Sequence, residues 1–462
     1  MSKLADSLFV LCIAAAFTAG AAAEPKPPVN VPPKPPTIDR AALAAQVRSE
    51  LLFSWHAYEQ YAWGHDELRP LSKNGRDWYG ESLYMTPVDA LDALLLLGCT
   101  AEAEKAKNLI VEKLSFDKDI VVKNFEITIR LLGGLLSSYQ LSGDKRLLAL
   151  AEDLGTRLLP VFESPTGMPY MFVNLRTGAV SGPRSNPAEI GTLLLEFGTL
   201  SKLTKKPVFY DKAKRALVQL YERRSKLGLV GEEIDVETGA WTSRASHVGG
   251  GIDSYYEYLL KCSLLFGDTD CERMWQASRR ALDEVLADEV KGQLWYGQAD
   301  METGERTATE FGALHAFFPA VLALAGDLDR ARRLQTSCSA MWGLHGIEPE
   351  VLDYRAMRVV HAGYPLRPEI MESAFTLYRA TQDPSYLEMG RDFFSGLTIH
   401  CRTEAGYTTL KDVVTKEKGD LMPSYFLAET LKYLYLLFTP EPVPALEGAV
   451  FNTEAHPLRR TW

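Results

Sequence analysis

The sequence predicts an all-α fold: an (αα)7 barrel of seven helical hairpins with β-hairpin loops at one end. Three observations carry this expectation. Apolar residues recur at helical spacing through most of the chain. Turns of one type recur about every 60 residues, at Gly98-Cys99-Thr100, Ser142-Gly143-Asp144, Thr204-Lys205-Lys206-Pro207, Phe266-Gly267-Asp268, Ala325-Gly326-Asp327 and Thr381-Gln382-Asp383-Pro384. Between them lie polar segments flanked by β-prone residues, with Arg176-Thr177-Gly178, Glu237-Thr238-Gly239 and Glu302-Thr303-Gly304 at their tips. Such a period means stacked supersecondary units; an open solenoid is the other geometry it allows.

Taken in order, the chain opens with Lys3, an apolar run from Leu8 to Phe17 and the small residues Ala21-Ala22-Ala23. This is the pattern of an export signal over residues 1–23, with an uncleaved anchor as the alternative. Pro-rich residues 24–37 read as an extended spacer. One domain is expected over 38–462, in a monomeric protein that is periplasmic or secreted and has no membrane span once the signal is removed. Its 46% hydrophobic and 24% charged residues are ordinary for a soluble protein, and the net charge of −10 argues against nucleic acid or an anionic membrane as partner. Five cysteines follow the signal: Cys99, Cys262, Cys271, Cys338 and Cys401. They form no CxxC pair, so buried thiols are expected, although Cys262 and Cys271 are near enough in sequence to bridge a helical hairpin.

The folded part starts with a helix over Ala41 to Ala62, and a second begins at Val88-Asp89-Ala90-Leu91. From there an apolar helix, a turn and a more amphipathic helix alternate. Gly, present in four of the six turns, suits a helix C-cap, and Asp or Thr after it an N-cap. The apolar helices are assigned to an inner ring and the amphipathic ones to an outer ring.

An acid stands at or near the start of successive inner helices: Glu126, Glu189, Asp253, Glu310, Glu369 and Glu429, at intervals of 63, 64, 57, 59 and 60 residues. In a closed ring these positions face one axis. First-turn acids also complement the helix dipole, but this series is interleaved with Phe125, Tyr255, Tyr256, Tyr364 and Tyr425. Clustered carboxylates with aromatic walls suit a sugar, because glycoside hydrolysis needs one protonated acid and one carboxylate base. Arg130 and Arg367 could orient a carboxylate or a hydroxyl. Near the C-terminus, Phe451-Asn452-Thr453-Glu454-Ala455-His456-Pro457-Leu458 follows a Pro-rich turn. Thr453 there offers a hydroxyl and a carbonyl oxygen, as a hard cation such as Ca²⁺ prefers. An ordered β-turn without a ligand is the plainer reading of that block.

Six blocks in register resemble glycoside hydrolase family 47, the class I α-mannosidases, from about residue 45 to 458. They are Ala62-Trp63-Gly64-His65-Asp66-Glu67-Leu68, Phe125-Glu126-Ile127-Thr128-Ile129-Arg130-Leu131-Leu132-Gly133-Gly134, Asp253-Ser254-Tyr255-Tyr256-Glu257-Tyr258, Leu366-Arg367-Pro368-Glu369-Ile370-Met371-Glu372-Ser373, Phe426-Leu427-Ala428-Glu429-Thr430 and the closing Phe451 to Pro457. The resemblance, to a bacterial exported member, implies a Ca²⁺-dependent, inverting exo-α-1,2-mannosidase acting on α-1,2-linked mannose. It implies Glu126 as general acid acting through a water, Glu369 as general base and Asp253 as a third essential carboxylate that is the other candidate for the acid. It implies Thr453 as the Ca²⁺ ligand, with Glu189, Glu372, Glu429 and Glu454 lining the pocket or holding metal-bound waters. Arg130 and Tyr425 match a charge partner and an aromatic platform, and Arg367 is placed in the substrate-binding set.

Departures accompany the match. Cys338 lacks the partner of the family's disulfide, so that bridge is expected to be absent, and His315 is given no role. Ile252 stands where enzymes that bind large oligosaccharides carry Arg, which favours short mannosides as substrates. A catalytically weak, lectin-like mannose-binding protein on the same fold is the alternative. Another helical-barrel enzyme, such as a sugar epimerase or glucanase, is disfavoured by the terminal Thr-Glu-Ala-His-Pro block.

Overall fold

The computed structural model describes residues 38–462; the expected signal and the Pro-rich spacer lie outside the described residues. Helix α1, Arg40–Tyr61, starts where the Asp39 carboxylate accepts from the amide of Ala42 at 2.9 Å. Six hairpins follow. They pair α2, Met85–Leu96, with α3, Thr100–Lys113; α4, 124–142, with α5, Lys145–Leu158; and α6, 187–204, with α7, Pro207–Glu222. Next come α8, Asp253–Phe266, with α9, Thr269–Ala281; α10, 313–324, with α11, Leu328–Gly343; and α12, Glu369–Thr381, with α13, Ser385–His400. Helix α14, 426–438, packs against α1.

All six predicted turns fall between the two members of a hairpin. Their chemistry is the expected one: Gly143 and Gly267 end their helices in the left-handed region, and Asp144 and Asp268 accept from the amides of Arg146 and Cys271. The even-numbered helices contact one another in cyclic order, α2 to α4, α6, α8, α10, α12, α14 and back to α2. Each odd-numbered helix packs outside an even one. Burial agrees with that division: Met85 through Leu94 of α2 are buried all round, whereas α5 buries only the stripe Leu147, Ala151, Leu154, Gly155 and Leu158.

Short antiparallel strands join the hairpins. Val121–Lys123, Arg184–Ser185, Ala245–Ser246 and Glu310–Gly312 each lead toward an inner helix and pair with a strand of the hairpin that follows. The three predicted hairpin tips are turns of this kind. This arrangement gathers the loops at the N-terminal ends of the inner helices.

One expectation changes. Glu310 does not begin an inner helix: it lies on a strand opposite Asp353 and is exposed, with α10 starting three residues later. Strand alternation, not helix phase, therefore sets its direction. The cysteines are as expected: Cys99, Cys262, Cys271, Cys338 and Cys401 are all buried free thiols, and Cys262 and Cys271 are not bridged. Val450–Phe451 and Pro457–Leu458 pair as strands, and the bend between them enters the middle of the ring of even-numbered helices. Residues Asp39–Trp462 form one compact unit.

Candidate active site

A cavity of about 320 Å³ opens among the N-terminal ends of the inner helices. Glu126, Arg130, Glu189, Asp253, Arg367, Glu369, Glu372, Tyr425, Glu429, Thr453 and Glu454 all line it. The ring thus brings these eleven residues together, whereas Tyr255, Tyr256 and Tyr364 of the expected aromatic walls lie buried away from the lining. Glu310 is absent from the lining, and Leu314 and Phe317 of α10 face the cavity instead.

Local structure explains how the side chains reach it. Asp253 and Glu369 are the first residues of α8 and α12, pointing into the cavity from helix N-termini. Glu189 sits in a first turn capped by Asn186, whose side chain accepts its amide at 3.0 Å. Arg130 and Glu429 lie deeper, each inside a widened π-type turn, Thr128–Leu132 and Phe426–Thr430. Such turns add a residue to the helix and re-aim the side chains after it. The segment before Glu369 is strained: Leu366 has φ 67°. It is held by hydrogen bonds from α14 and its approach, Thr430 Oγ1 to Leu366 O at 2.8 Å and the Tyr425 hydroxyl to Pro365 O at 2.6 Å.

The cations are fewer than the acids and each is paired. Arg130 donates to Glu126 Oε2 through Nε at 3.0 Å, pairs with Glu454, and lies 5.4 Å from the ring centres of both Trp78 and Tyr425. Tyr425 therefore supports Arg130 as well as facing the cavity. Lys123 pairs with Glu189 at 2.7 Å, and Arg367 grips Glu350 with two donors at 2.5 and 3.2 Å. Lys261 sits between Glu257 and Glu372.

Burial dominates the electrostatics. It raises Glu369 to about 8 despite Arg367, Asp253 to about 6, and Glu372 to about 7 despite Lys261. Glu429 and Glu454 are pushed well above the carboxylate range by burial, with the charges of Glu454, Glu369 and Glu372 adding for Glu429 and those of Asp89 and Glu126 for Glu454.

A cation would relieve this crowding. Among the described residues, no three carboxylate, imidazole or thiol groups converge on one metal position. Thr453 lines the cavity, and among the described residues neither its hydroxyl nor its carbonyl oxygen has a hydrogen-bond partner. Two free oxygens on one residue, with ionisable acids around them, fit a hard cation that keeps most of its water.

Comparison with known proteins resolves the class. Residues 50–460 match glycosyl hydrolase family 47. The chain belongs to this family. Alpha-mannosidase I MNS5 of Arabidopsis thaliana is 38% identical over 91% of this chain and 78% of its own length. ER degradation-enhancing alpha-mannosidase-like protein 2 of Homo sapiens is 39% identical over 87% and 76%. The solved structure of the alpha-1,2-mannosidase from Trichoderma reesei superposes with a TM-score of 0.84 at 27% identity, covering 91% of this chain and 99% of that one. The family 47 chain described here is thus a glycoside hydrolase, and these three relatives are eukaryotic.

Sequence reasoning missed part of the site. Lys123, Asn186, Glu257 and the Gly250-Gly251 bend also line the cavity. Beneath it lies a fully buried set: His456 bonds Asp92 at 2.7 Å and Asp89 at 3.1 Å, and Lys432 bonds Asp92 and Ala455 O at 2.7 Å each. Two acids three residues apart in the otherwise apolar α2 were the available signal.

Proposed function

We propose that this protein is a Ca²⁺-dependent, inverting exo-α-1,2-mannosidase. The observation that carries the reading is the dead-end acidic cavity with Thr453 in its lining, closed beneath by the C-terminal bend. A blind pocket at the small end of ligand sites accepts a chain terminus rather than its middle. The cyclic order of inner-helix contacts supports an (αα)7 barrel as the frame. The substrate class comes from the names of the relatives, and short mannosides are favoured because Ile252 is buried in the core and gives no contact at the cavity.

In the proposed mechanism Glu369 takes a proton from the attacking water. Asp253, held near 6 by burial, or Glu126, acting through a water, delivers a proton to the leaving oxygen. Arg130 fixes the orientation of Glu126, and Arg367 favours the ionised form of Glu369. Glu189, Glu372, Glu429 and Glu454 accept from sugar hydroxyls and bound waters, with Tyr425 as an aromatic wall. A Ca²⁺ held by Thr453 would supply charge that favours ionised acids and a point of attachment for adjacent hydroxyls. Export, to a periplasm or the medium, is supported by the pattern of residues 1–23 alone.

The deciding experiment is mannose release from α-1,2-mannobiose with Ca²⁺ and with EDTA. Release should require Ca²⁺, give β-mannose first by NMR, and fall about a hundredfold or more in Glu369→Gln. Calcium-loaded protein that binds mannoside yet releases none would favour the lectin-like alternative.

A further inference from the structure

Behind the cavity wall is a carboxyl with no assigned work. Glu348 is fully buried, and neither of its side-chain oxygens has a partner among the described residues. Leaving such a group unsatisfied is costly, so a native structure needs a reason for it. Its position is informative. Glu350, two residues on, is clamped by Arg367, which itself stands two residues before Glu369. On the other side, Gln335 of α11 donates to Ile370 O at 3.2 Å and leaves its own Oε1 buried and unpartnered. Glu369 shares the defect: it lines the cavity, yet its Oε2 is buried without a partner. Four acceptor oxygens on three side chains thus lack a donor around the first turn of α12.

We propose that Glu348 is a positioning residue that carries a proton and, through one buried water, supplies a hydrogen bond to Oε2 of Glu369. The arrangement satisfies the donors. The Glu348 hydroxyl donates to the water, and the water donates one hydrogen to Glu369 Oε2 and the other to Gln335 Oε1. Glu369 is then held ionised from behind, with its other oxygen free for the cavity.

The surroundings of Glu348 agree with a proton there. Burial pushes it well above the carboxylate range, with the charges of Glu369 and Glu350 adding to that and only Arg367 opposing. Cys338 of α11 and Tyr364 also face it and bring no positive charge. On its own side Glu369 faces Arg367, Glu350, Asp253, Tyr425 and Glu429. The inference rests on the reading of Glu369 as the base.

The test compares wild type, Glu348→Leu, Glu348→Gln and Glu369→Gln. Glu348→Leu, which cannot donate, should lower kcat on α-1,2-mannobiose about tenfold at unchanged KM. It should also move the acid limb of the kcat profile up by about one pH unit. Glu348→Gln, whose amide can donate to the same water, should restore most of kcat. Difference infrared spectra near neutral pH should show a protonated-carboxyl band in wild type that Glu348→Gln lacks. An unmoved acid limb in Glu348→Leu, or no such band, overturns the inference; if Glu348→Leu does not fold, the infrared comparison decides. A Glu369→Gln variant that stays active refutes the reading of the base instead. An inactive one beside an unmoved limb in Glu348→Leu refutes the role of Glu348 alone.

Discussion

At the residue scale, acids crowd where water is scarce. Asp253, Glu372 and Glu369 are raised to about 6, 7 and 8, all above their ordinary values, and burial is the largest cause for each. A raised carboxyl favours its protonated form in the folded state. The stability it contributes is therefore present below the unfolded pKa and is lost as pH rises through the folded one, by about 1.4 kcal/mol per unit of displacement. Protein stripped with EDTA should thus melt at progressively lower temperature from about pH 5 to pH 8, and Ca²⁺ should flatten that slope in a thermal-shift series. A slope that is the same with and without the cation would refute the coupling. The identity of the acid can be settled at the same scale. If Asp253 delivers the proton, Asp253→Asn should lose activity on mannobiose but keep much of it on α-mannosyl fluoride, whose leaving group needs little protonation. Equal losses on both substrates would return the role to Glu126.

At the element scale, one small device recurs at the loop end. In five hairpins Asn174, Asp235, Asp300, Asp353 and Asp412 accept from the amides two and three residues on. Four residues after each of them the backbone takes positive φ, at Gly178, Gly239, Gly304, Met357 and Lys416. The side chain closes the turn and leaves the chain reversal to the left-handed residue, which suits Gly. Three of the five have it. Met357→Gly should therefore stabilise the protein by about 1 kcal/mol in a denaturant titration, because the left-handed penalty disappears; a loss of stability would show that Met357 packing outweighs it. The widened turns in α4 and α14 are the second device at this scale. They let Arg130 and Glu429 reach the cavity from positions that helix spacing alone leaves ambiguous.

At the scale of the whole molecule, the C-terminal bend locks the ring. Asn452 bonds Ile129 O of α4 at 3.0 Å and Glu196 of α6 at 2.7 Å, and Thr453 N meets the Tyr258 hydroxyl of α8 at 3.3 Å. His456 and Lys432 pair with the buried Asp89 and Asp92, and Arg130 lies 3.7 Å from Asp89. The paired glycines of α4 make room for it. A Cβ on Gly134 would stand 2.9 Å from the carbonyl oxygen of Val88 and 3.2 Å from His456. Gly134→Ala should cost about 1–3 kcal/mol in a melt and weaken Ca²⁺ binding through displacement of Thr453. Unchanged cation affinity would separate the bend from the proposed Ca²⁺ site.

The sequence by itself determined the helices, all six hairpin turns and the acids that open inner helices, because each depends on residues within one turn of one another. It also carried the family, since motifs in register survive without any knowledge of packing. Only the tertiary structure decided that Glu310 points outward, since strand register and not helix phase governs it there. The same holds for the set around His456, for the clamp of Arg367 on Glu350, and for Glu348 behind Glu369. These pairings join residues up to several hundred positions apart, as His456 and Asp89 do. Closing the ring fixes them, and no local spacing records that closure.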